Sequence, residues 1–160
     1  MDHVDAILAQ WRRERPDLDV EPMGLLGRLT RLTTHLRHEI EKTLASHDLS
    51  APSFDILATL RRSGAPHRLS PGDLLATAMV TSGTMTNRID QLEKAGLVTR
   101  TPNPEDGRGV LVGLTAAGLA RIEAALADHV ATQHRVVAGL DPAERRALDA
   151  LLARWLADWE

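Results

Sequence analysis

The 160-residue chain contains no cysteine, so disulfide bonds, thiol-based redox sensing and cysteine-ligated metal sites are excluded. It also lacks an apolar run near the roughly 18 residues that a membrane-spanning helix requires. The N-terminus is acidic and polar, unlike a secretory signal. The length suits one domain with a substantial hydrophobic core. We therefore expect a single cytoplasmic domain, residues 1–160, without a membrane partner.

A strongly basic composition, which many DNA-binding proteins have, is lacking too, because the net charge is −3. The charges are distributed unevenly. Residues 61–110 contain seven Lys or Arg and five Asp or Glu, whereas residues 1–60 contain seven and ten, and residues 111–160 contain five and seven. The middle of the chain is thus its net-basic section, which weakly favours contact with DNA there.

Motifs of common enzyme classes are absent from the sequence as well. It contains neither the glycine-rich P-loop that binds nucleotide phosphates nor the Gly-x-Ser-x-Gly motif of serine hydrolases. His35 with His38, and His129 with His134, have spacings that a metal ion could use, but no carboxylate cluster accompanies them. We therefore expect no catalytic residue, no metal and no cofactor, and we interpret these histidines as solvated.

Two short helices are predicted close together in the middle of the chain. Ser70 is a suitable N-cap for the first, Pro71 suits its first position, and Asp73 gives a capping-box-like start. After a short connection the second helix begins with Thr81 or Ser82 as its cap. This arrangement predicts a helix-turn-helix.

The second of these helices has one apolar and one polar face. Met85, Ile89 and Leu92 recur at i, i+4 and i+7 and predict a buried stripe, while Gly96 is placed to end the helix. The other face carries small hydrogen-bonding groups, a composition typical of a helix whose first turn enters the DNA major groove. The predicted DNA contacts on this helix are Ser82, Thr84, Thr86, Asn87, Gln91 and Lys94.

A β-hairpin is predicted directly after this helix. Residues 97–101 and 110–114 have the composition of two strands, and the residues between them form a turn with Arg108 near its tip. An arginine in that position is suited to a narrow minor groove. The predicted fold class is therefore mainly α with a small β-hairpin wing, in which residues 50–115 form a winged helix-turn-helix.

Helices are also predicted on both sides of this region. A helix of residues 2–15 and a long helix of residues 22–47 precede it, and two more helices, capped by Thr115 and Asp141, follow it. Apolar stripes run along the long helix and the last helix. They consist of Leu25, Leu29, Leu32, Leu36, Ile40 and Leu44, and of Leu148, Leu151, Leu152, Trp155, Leu156 and Trp159.

The last helix in particular carries more apolar surface than the end of a lone helix can bury. We therefore predict that residues 1–47 and 116–160 form a helical lobe through which two copies of the chain make a homodimer.

The region from the second short helix to the hairpin contains a set of residues in one spacing: Thr86, Asp90, Leu92-Glu93, Gly96-Leu97-Val98, Arg100, Pro104, Asp106-x-Arg108 and Leu114-Thr115. In this set the region resembles the MarR family of transcriptional regulators. The Asp-x-Arg at the wing tip, with Gly107 in its middle, is that family's signature. The resemblance implies a dimer whose two recognition helices enter successive major grooves, about 34 Å apart, of a pseudo-palindromic operator in double-stranded DNA.

Further motifs lie outside this region: Trp-x-x-x-Arg-Pro-Asp-Leu over residues 11–18, Pro22-Met23, Gly27-Arg28-Leu29 and Phe54-Asp55-Ile56-Leu57. With them the chain also resembles, over roughly residues 8–130, the urate-responsive branch of that family, which has an additional N-terminal helix. In most of the wider family the position of Arg88 is aliphatic, so its arginine points to this branch. The resemblance implies a ligand site formed by Trp11, Asp55, Arg88 and Arg100.

The residues around Arg88 leave two interpretations open. Arg88 lies three positions after Met85 and four before Leu92, and so it flanks the buried stripe, where an unpaired charge would be costly. It either forms a structural ion pair with a carboxylate such as Asp55, or lines with Asp55 a polar pocket behind the recognition helix.

We therefore expect a ligand-responsive transcriptional regulator, a repressor that urate or a related small aromatic anion releases from its operator. The alternatives are a regulator of the same family that responds to another phenolic ligand or to none, and a helical protein-interaction module. An interaction module has no use for the polar first turn of the second short helix.

Overall fold

Seven helices and three strands are found in the described part of the chain. The structure is a computed structural model, and it describes residues 1–79, 82–104, 106 and 109–160, without the side chains of residues 82–84. This confirms the mainly α class with a small sheet. None of the helices in these residues is long and apolar enough to cross a membrane. The elements are α1 (His3–Glu14), α2 (Glu21–Ala45), α3 (Ala51–Arg62), β1 (Arg68–Leu69), α4 (Pro71–Thr77), α5 (Ser82–Lys94), β2 (Val98–Pro102), β3 (Val110–Leu114), α6 (Ala116–Val136) and α7 (Pro142–Leu156).

Side-chain caps fix where several helices begin. The oxygens of Ser70 and Thr115 each accept a backbone N–H three residues later, as predicted. Asp141 and Glu144 form a reciprocal capping box at the start of α7. These contacts satisfy N–H groups that have no partner within the helix. The contact of Asp73 differs from that of a capping box, in which its carboxylate would accept the backbone N–H of Ser70. It accepts the hydroxyl of Ser70, at 2.7 Å.

The sheet has three antiparallel strands in the order β1-β3-β2. Strands β2 and β3 form the predicted hairpin, with Arg100 opposite Val112. Strand β1 was not predicted; its Arg68 pairs with Gly113 of β3. The side chain of Arg68 lies against Gly113, because a Cβ there would come within 2.7 Å of Cγ of Arg68.

The larger of two compact units, Ile40–Glu160, contains the helix-turn-helix and its core. Helix α3 packs against α4, α5, α6 and β3, and the predicted stripe of α5 is buried in this core. Helix α5 ends as predicted before Gly96, which has a φ of +71°. The buried cluster consists of Leu44, Leu49, Ile56, Leu57, Leu60, Leu74, Met85, Ile89, Leu92, Leu97, Val98, Val112, Ile122 and Ala125.

The smaller unit, Met1–Glu39, contains α1 and most of α2. Arg28 of α2 donates hydrogen bonds to Asp2 at 2.8 Å and to Asp5 at 2.5 Å, which fasten the start of α1 to α2. The buried apolar side chains between the two helices are Val4, Leu8 and Val20.

Much of the apolar surface assigned to a homodimer is exposed in a single chain. Helix α7 has no buried residue, and its apolar face remains accessible along its whole length. On α2, Leu25 and Leu32 are exposed while Leu44 belongs to the core of the larger unit. One end of the predicted stripe of α2 is therefore exposed and the other end is part of the core. The dimerisation lobe of residues 1–47 and 116–160 stays a prediction.

Candidate DNA-binding surface and ligand site

Helix α5 separates its side chains into a buried and an exposed face. Met85, Ile89 and Leu92 are buried. Ser82 and Thr84 belong to the first turn of α5, but their side chains lie outside the described residues. The predicted DNA-contacting side chains that the structure describes are all exposed; they are Thr86, Asn87, Gln91 and Lys94.

The wing is the hairpin of β2 and β3, and two backbone hydrogen bonds join the described residues near its tip. The backbone N–H of Asn103 donates to the carbonyl of Gly109, and that of Gly109 donates to the carbonyl of Asp106, both at 2.8 Å. Arg108 lies outside the described residues, so its contact with the minor groove stays a prediction.

Arg100 of β2 fastens the wing to α5. Its Nη2 donates to Oδ1 of Asp90 at 2.5 Å, and its Nη1 donates to Glu93. Its backbone N–H also donates to Glu93, at 3.1 Å. The bond to Asp90 is the main cause that raises the pKa of Arg100. The structure thus gives Arg100 two carboxylate partners, and its expected ligand contact stays a prediction.

Arg88 and Asp55, the other two candidate ligand residues of this unit, are both half-buried. Arg88 donates from Nη1 to Oε1 of Gln91 at 2.8 Å. Asp55 accepts the backbone N–H of Met79 at 2.6 Å. Among the described residues, no ion pair joins Arg88 to Asp55, so the structural alternative considered for them is not found. Both polar groups have neutral partners that a ligand could replace.

Within the larger unit, Arg88 and the partners of Arg100 lie on different sides of α5. Successive residues of a helix are rotated by about 100°, which places Arg88 on one side of the buried stripe of α5 and the two partners of Arg100 on the other. Trp11 lies on α1, in the smaller unit, and is partly exposed. Its place in a ligand site remains a prediction from the resemblance.

Two roles in this region were missed by reasoning from the sequence. Asp90 and Glu93 were noted only as family matches, although two carboxylates three residues apart can bind one arginine. Arg62, at the end of α3, donates to the carbonyl of Thr77 at the end of α4 and, at 3.0 Å, to Oγ1 of Thr59. Nothing in the local sequence indicates this contact, because it joins separate helices.

The histidines differ in their surroundings. His35, His38 and His134 are exposed, as expected. His129 is instead half-buried, with its ring centroid 4.6 Å from that of Phe54, and burial lowers its pKa. Within the described residues, no group of three potential metal ligands occurs.

Comparisons with known proteins agree with this architecture. The model of the MarR family matches residues 49–110. The HTH-type transcriptional regulator PecS of Dickeya dadantii is 42% identical over 151 residues, which cover 94% of this chain and 91% of PecS. These matches are to transcriptional regulators and not to enzymes.

Two solved structures are similar over most of this chain. A mutant of Escherichia coli MarR in complex with operator DNA has a TM-score of 0.72 and 28% identity, covering 91% of this chain and 97% of that one. BpsR of Bordetella bronchiseptica, whose DNA binding is regulated by 6-hydroxynicotinic acid, has a TM-score of 0.74 and 28% identity, covering 86% and 95%.

Proposed function

This chain belongs to the MarR family of DNA-binding transcriptional regulators, and we propose that it is a homodimeric repressor that a small aromatic anion, urate or a related compound, releases from its operator. DNA binding is supported by the exposed polar face of α5 and by the wing next to it, which two ion pairs attach to this helix. Binding of an anionic ligand is supported by Arg88, which is half-buried and has the neutral Gln91 as its described side-chain partner.

The DNA contacts that we propose come from α5 and the wing. Thr86, Asn87, Gln91 and Lys94 would meet bases or phosphates in the major groove, together with Ser82 and Thr84 of the first turn. Arg108 would enter the minor groove. Two copies of this surface would read a pseudo-palindromic site.

Dimerisation is proposed to cover the exposed apolar face of α7. Five large apolar side chains of α7, with Trp159 just after the helix, would be an unusual exposed surface for a monomer. The exposed Leu25 and Leu32 of α2 are further candidates for the same kind of burial. A dimer is also what a pseudo-palindromic operator requires, because each half-site needs its own recognition helix.

The proposed ligand site is centred on Arg88 and Asp55. An anionic ring would form a charge-assisted hydrogen bond with the Arg88 guanidinium, and a ring N–H would donate to the Asp55 carboxylate. Trp11 would stack on the ring, as the resemblance implies. Arg100, already neutralised by Asp90 and Glu93, would respond through α5 rather than through direct contact. The ligand needs to prefer the non-binding conformation by only about 1–3 kcal/mol to weaken DNA binding measurably.

Support for a ligand of this kind comes from the sequence resemblance to the urate-responsive branch. The regulation of BpsR by 6-hydroxynicotinic acid, another small aromatic anion, favours the same chemical class. A related hydroxylated aromatic acid is therefore the second candidate.

A gel-shift assay on DNA upstream of the gene for this chain tests the proposal. Wild-type protein should bind, and urate, xanthine, salicylate or 6-hydroxynicotinate should release it. Arg88→Ala should bind DNA but respond to none of them, whereas Arg88→Lys, which keeps the charge, should respond weakly. No binding to this DNA or to random operator libraries would refute the DNA half; binding without calorimetric heat from any of the four compounds at millimolar concentration would refute the ligand half.

The wing assignment has a separate test. Arg108→Ala should weaken operator binding and lower the slope of log affinity against log salt by about one, if the arginine neutralises one phosphate. An unchanged affinity and slope would rule out the contact.

A further inference from the structure

The centre of the exposed face of α5 consists of three side chains. Successive helical residues are rotated by about 100°, so Asn87, Gln91 and Lys94 lie opposite the buried stripe of this helix, and all three are exposed. Asn87 and Gln91 are four residues apart and are therefore neighbours on this face. Both end in a carboxamide, which has an oxygen that accepts hydrogen bonds and an NH2 group that donates them. Side chains of this kind can distinguish bases in the major groove.

The carboxamide of Gln91 is held in one orientation by Arg88. The Nη1 of Arg88 donates to the Oε1 of Gln91 at 2.8 Å. A guanidinium has donors only, so the Gln91 amide cannot turn its NH2 group toward Arg88 without losing this bond. Arg88 is half-buried beside the buried stripe, whereas Gln91 is exposed. Arg88 therefore sets the orientation, and the NH2 group of Gln91 is the half of the amide that faces away from the arginine.

This orientation changes which base Gln91 can recognise. An unrestrained Asn or Gln pairs with adenine, because it donates to N7 and accepts from the N6 amino group. The oxygen of Gln91 already accepts from a positively charged donor, and that charge would repel the adenine amino group, a second donor. Guanine presents two acceptors, O6 and N7, on the same edge. The NH2 group of Gln91 can donate to them, and the charge of Arg88 attracts the same acceptors.

We propose that Arg88 is a positioning residue for base recognition: it orients the carboxamide of Gln91 so that α5 reads a guanine with this side chain in each half-site of the operator. The proposal rests on the proposed function in one respect, the contact of Gln91 with DNA. It involves no small-molecule ligand and is independent of the ligand half of that function. Because a carboxamide alone predicts adenine, the identity of this base decides whether Arg88 has the role.

The base read by Gln91 is found by selecting bound sequences from a pool of random double-stranded DNA, with the full chain and with each variant. The position at which Gln91→Ala loses its base preference identifies the contact. Wild type should prefer guanine over adenine there by about fivefold or more, the lower end of the discrimination that a base contact gives. Arg88→Met frees the carboxamide, so adenine should become the favoured base. Arg88→Lys keeps a charged donor and should keep the preference for guanine.

Asn87 provides the matched control on the same helix. Its base contact is identified in the same way, with Asn87→Ala. The described bond of Arg88 is to Gln91, so the base selected at the Asn87 position should be the same in wild type and in Arg88→Met. A second measurement needs no DNA. The side-chain amide signal of Gln91 in NMR spectra, identified by its loss in Gln91→Ala, should shift in Arg88→Met.

Three results would overturn the proposal: a base other than guanine at the Gln91 position in wild type, the same base preference in wild type and Arg88→Met, or an unchanged Gln91 amide signal in Arg88→Met. Equal weakening of all sequences by Arg88→Met would mean that Arg88 only adds charge near the DNA, and would overturn it too. If Gln91→Ala changes the preference at no position, the base contact is wrong although the chain binds DNA. If wild type selects no sequence at all, the DNA half of the proposed function fails as well.

Discussion

Replacing Arg100 with methionine should loosen the wing from the recognition helix. The substitution keeps an apolar stem but removes the guanidinium that bonds to Asp90 and Glu93. These two carboxylates lie three residues apart on α5, so without Arg100 they repel each other. The expected consequences are a less stable protein and a wing that no longer moves with α5.

The size of the effect follows from the exposure of the groups. The Arg100 side chain is 30% exposed and those of Asp90 and Glu93 are 49% and 38% exposed, so solvent screens both ion pairs. Exposed pairs contribute about 0–1 kcal/mol each, and like charges three or four residues apart cost a few tenths more. We expect Arg100→Met to lower the free energy of unfolding by about 1–2 kcal/mol, which for a domain of this size lowers the melting temperature by roughly 2–8 °C.

Calorimetry measures the melting temperature, and Arg88→Met is the matched control. This control also removes one arginine charge, but the described partner of Arg88 is the neutral Gln91. The melting temperature of Arg88→Met should therefore change less than that of Arg100→Met. Arg100→Met should also weaken operator binding, because α5 and the wing contact the same DNA. If Arg100→Met melts and binds DNA as wild type does but loses its response to urate, Arg100 is a ligand residue and the reasoning from its ion pairs is wrong.

Three further predictions concern stability and assembly. Gly118→Ala would place a methyl group 1.9 Å from the Leu97 carbonyl oxygen and should cost about 1–3 kcal/mol or more in urea unfolding, whereas Gly139→Ala, with no atom within 4 Å, should cost little; equal effects would contradict the packing argument. Burial lowers the pKa of His129 below 6.5, so the unfolded chain binds the proton more readily and stability should fall as the pH drops through and below 6.5; His129→Gln should reduce this loss, and an identical pH profile would exclude the histidine as its cause. Leu152→Asp, on the exposed apolar face of α7, should give monomers in sedimentation and weaken operator binding, and a dimer of unchanged stability would place the interface elsewhere.

The elements that could be predicted from the sequence are those with local signals. The caps at Ser70, Thr115 and Asp141 and the spacing of Met85, Ile89 and Leu92 depend only on neighbouring residues, and the structure has them as expected. Strand β1 carries no such signal, because two residues are too few to show an alternating pattern. It forms by pairing with β3, which lies far along the chain, with Arg68 opposite Gly113 and Leu69 opposite Val112.

The candidate site was less predictable because its contacts join separate elements. Sequence spacing placed Arg88 beside the buried stripe, and it is half-buried there. It could not show that Arg100 lies within reach of Asp90 and Glu93, since this depends on how β2 packs against α5. It also gave no sign that Asp55 accepts a backbone N–H from the end of α4.

The ion pairs of Arg100 imply that α5 and the wing move as one body when a ligand binds. Arg100 fastens β2 to one side of α5, whereas the proposed ligand acts on Arg88, on the other side. Because the chain has no cysteine, spin labels can be attached to cysteines introduced at exposed positions, with labelled chains diluted in unlabelled ones. Urate should change the distance between labels at Lys94 of α5 and Ala124 of α6, but not the distance between labels at Lys94 and Val110 of the wing. A change in the second distance with none in the first would mean that the ligand acts on the wing and that α5 stays fixed on the core.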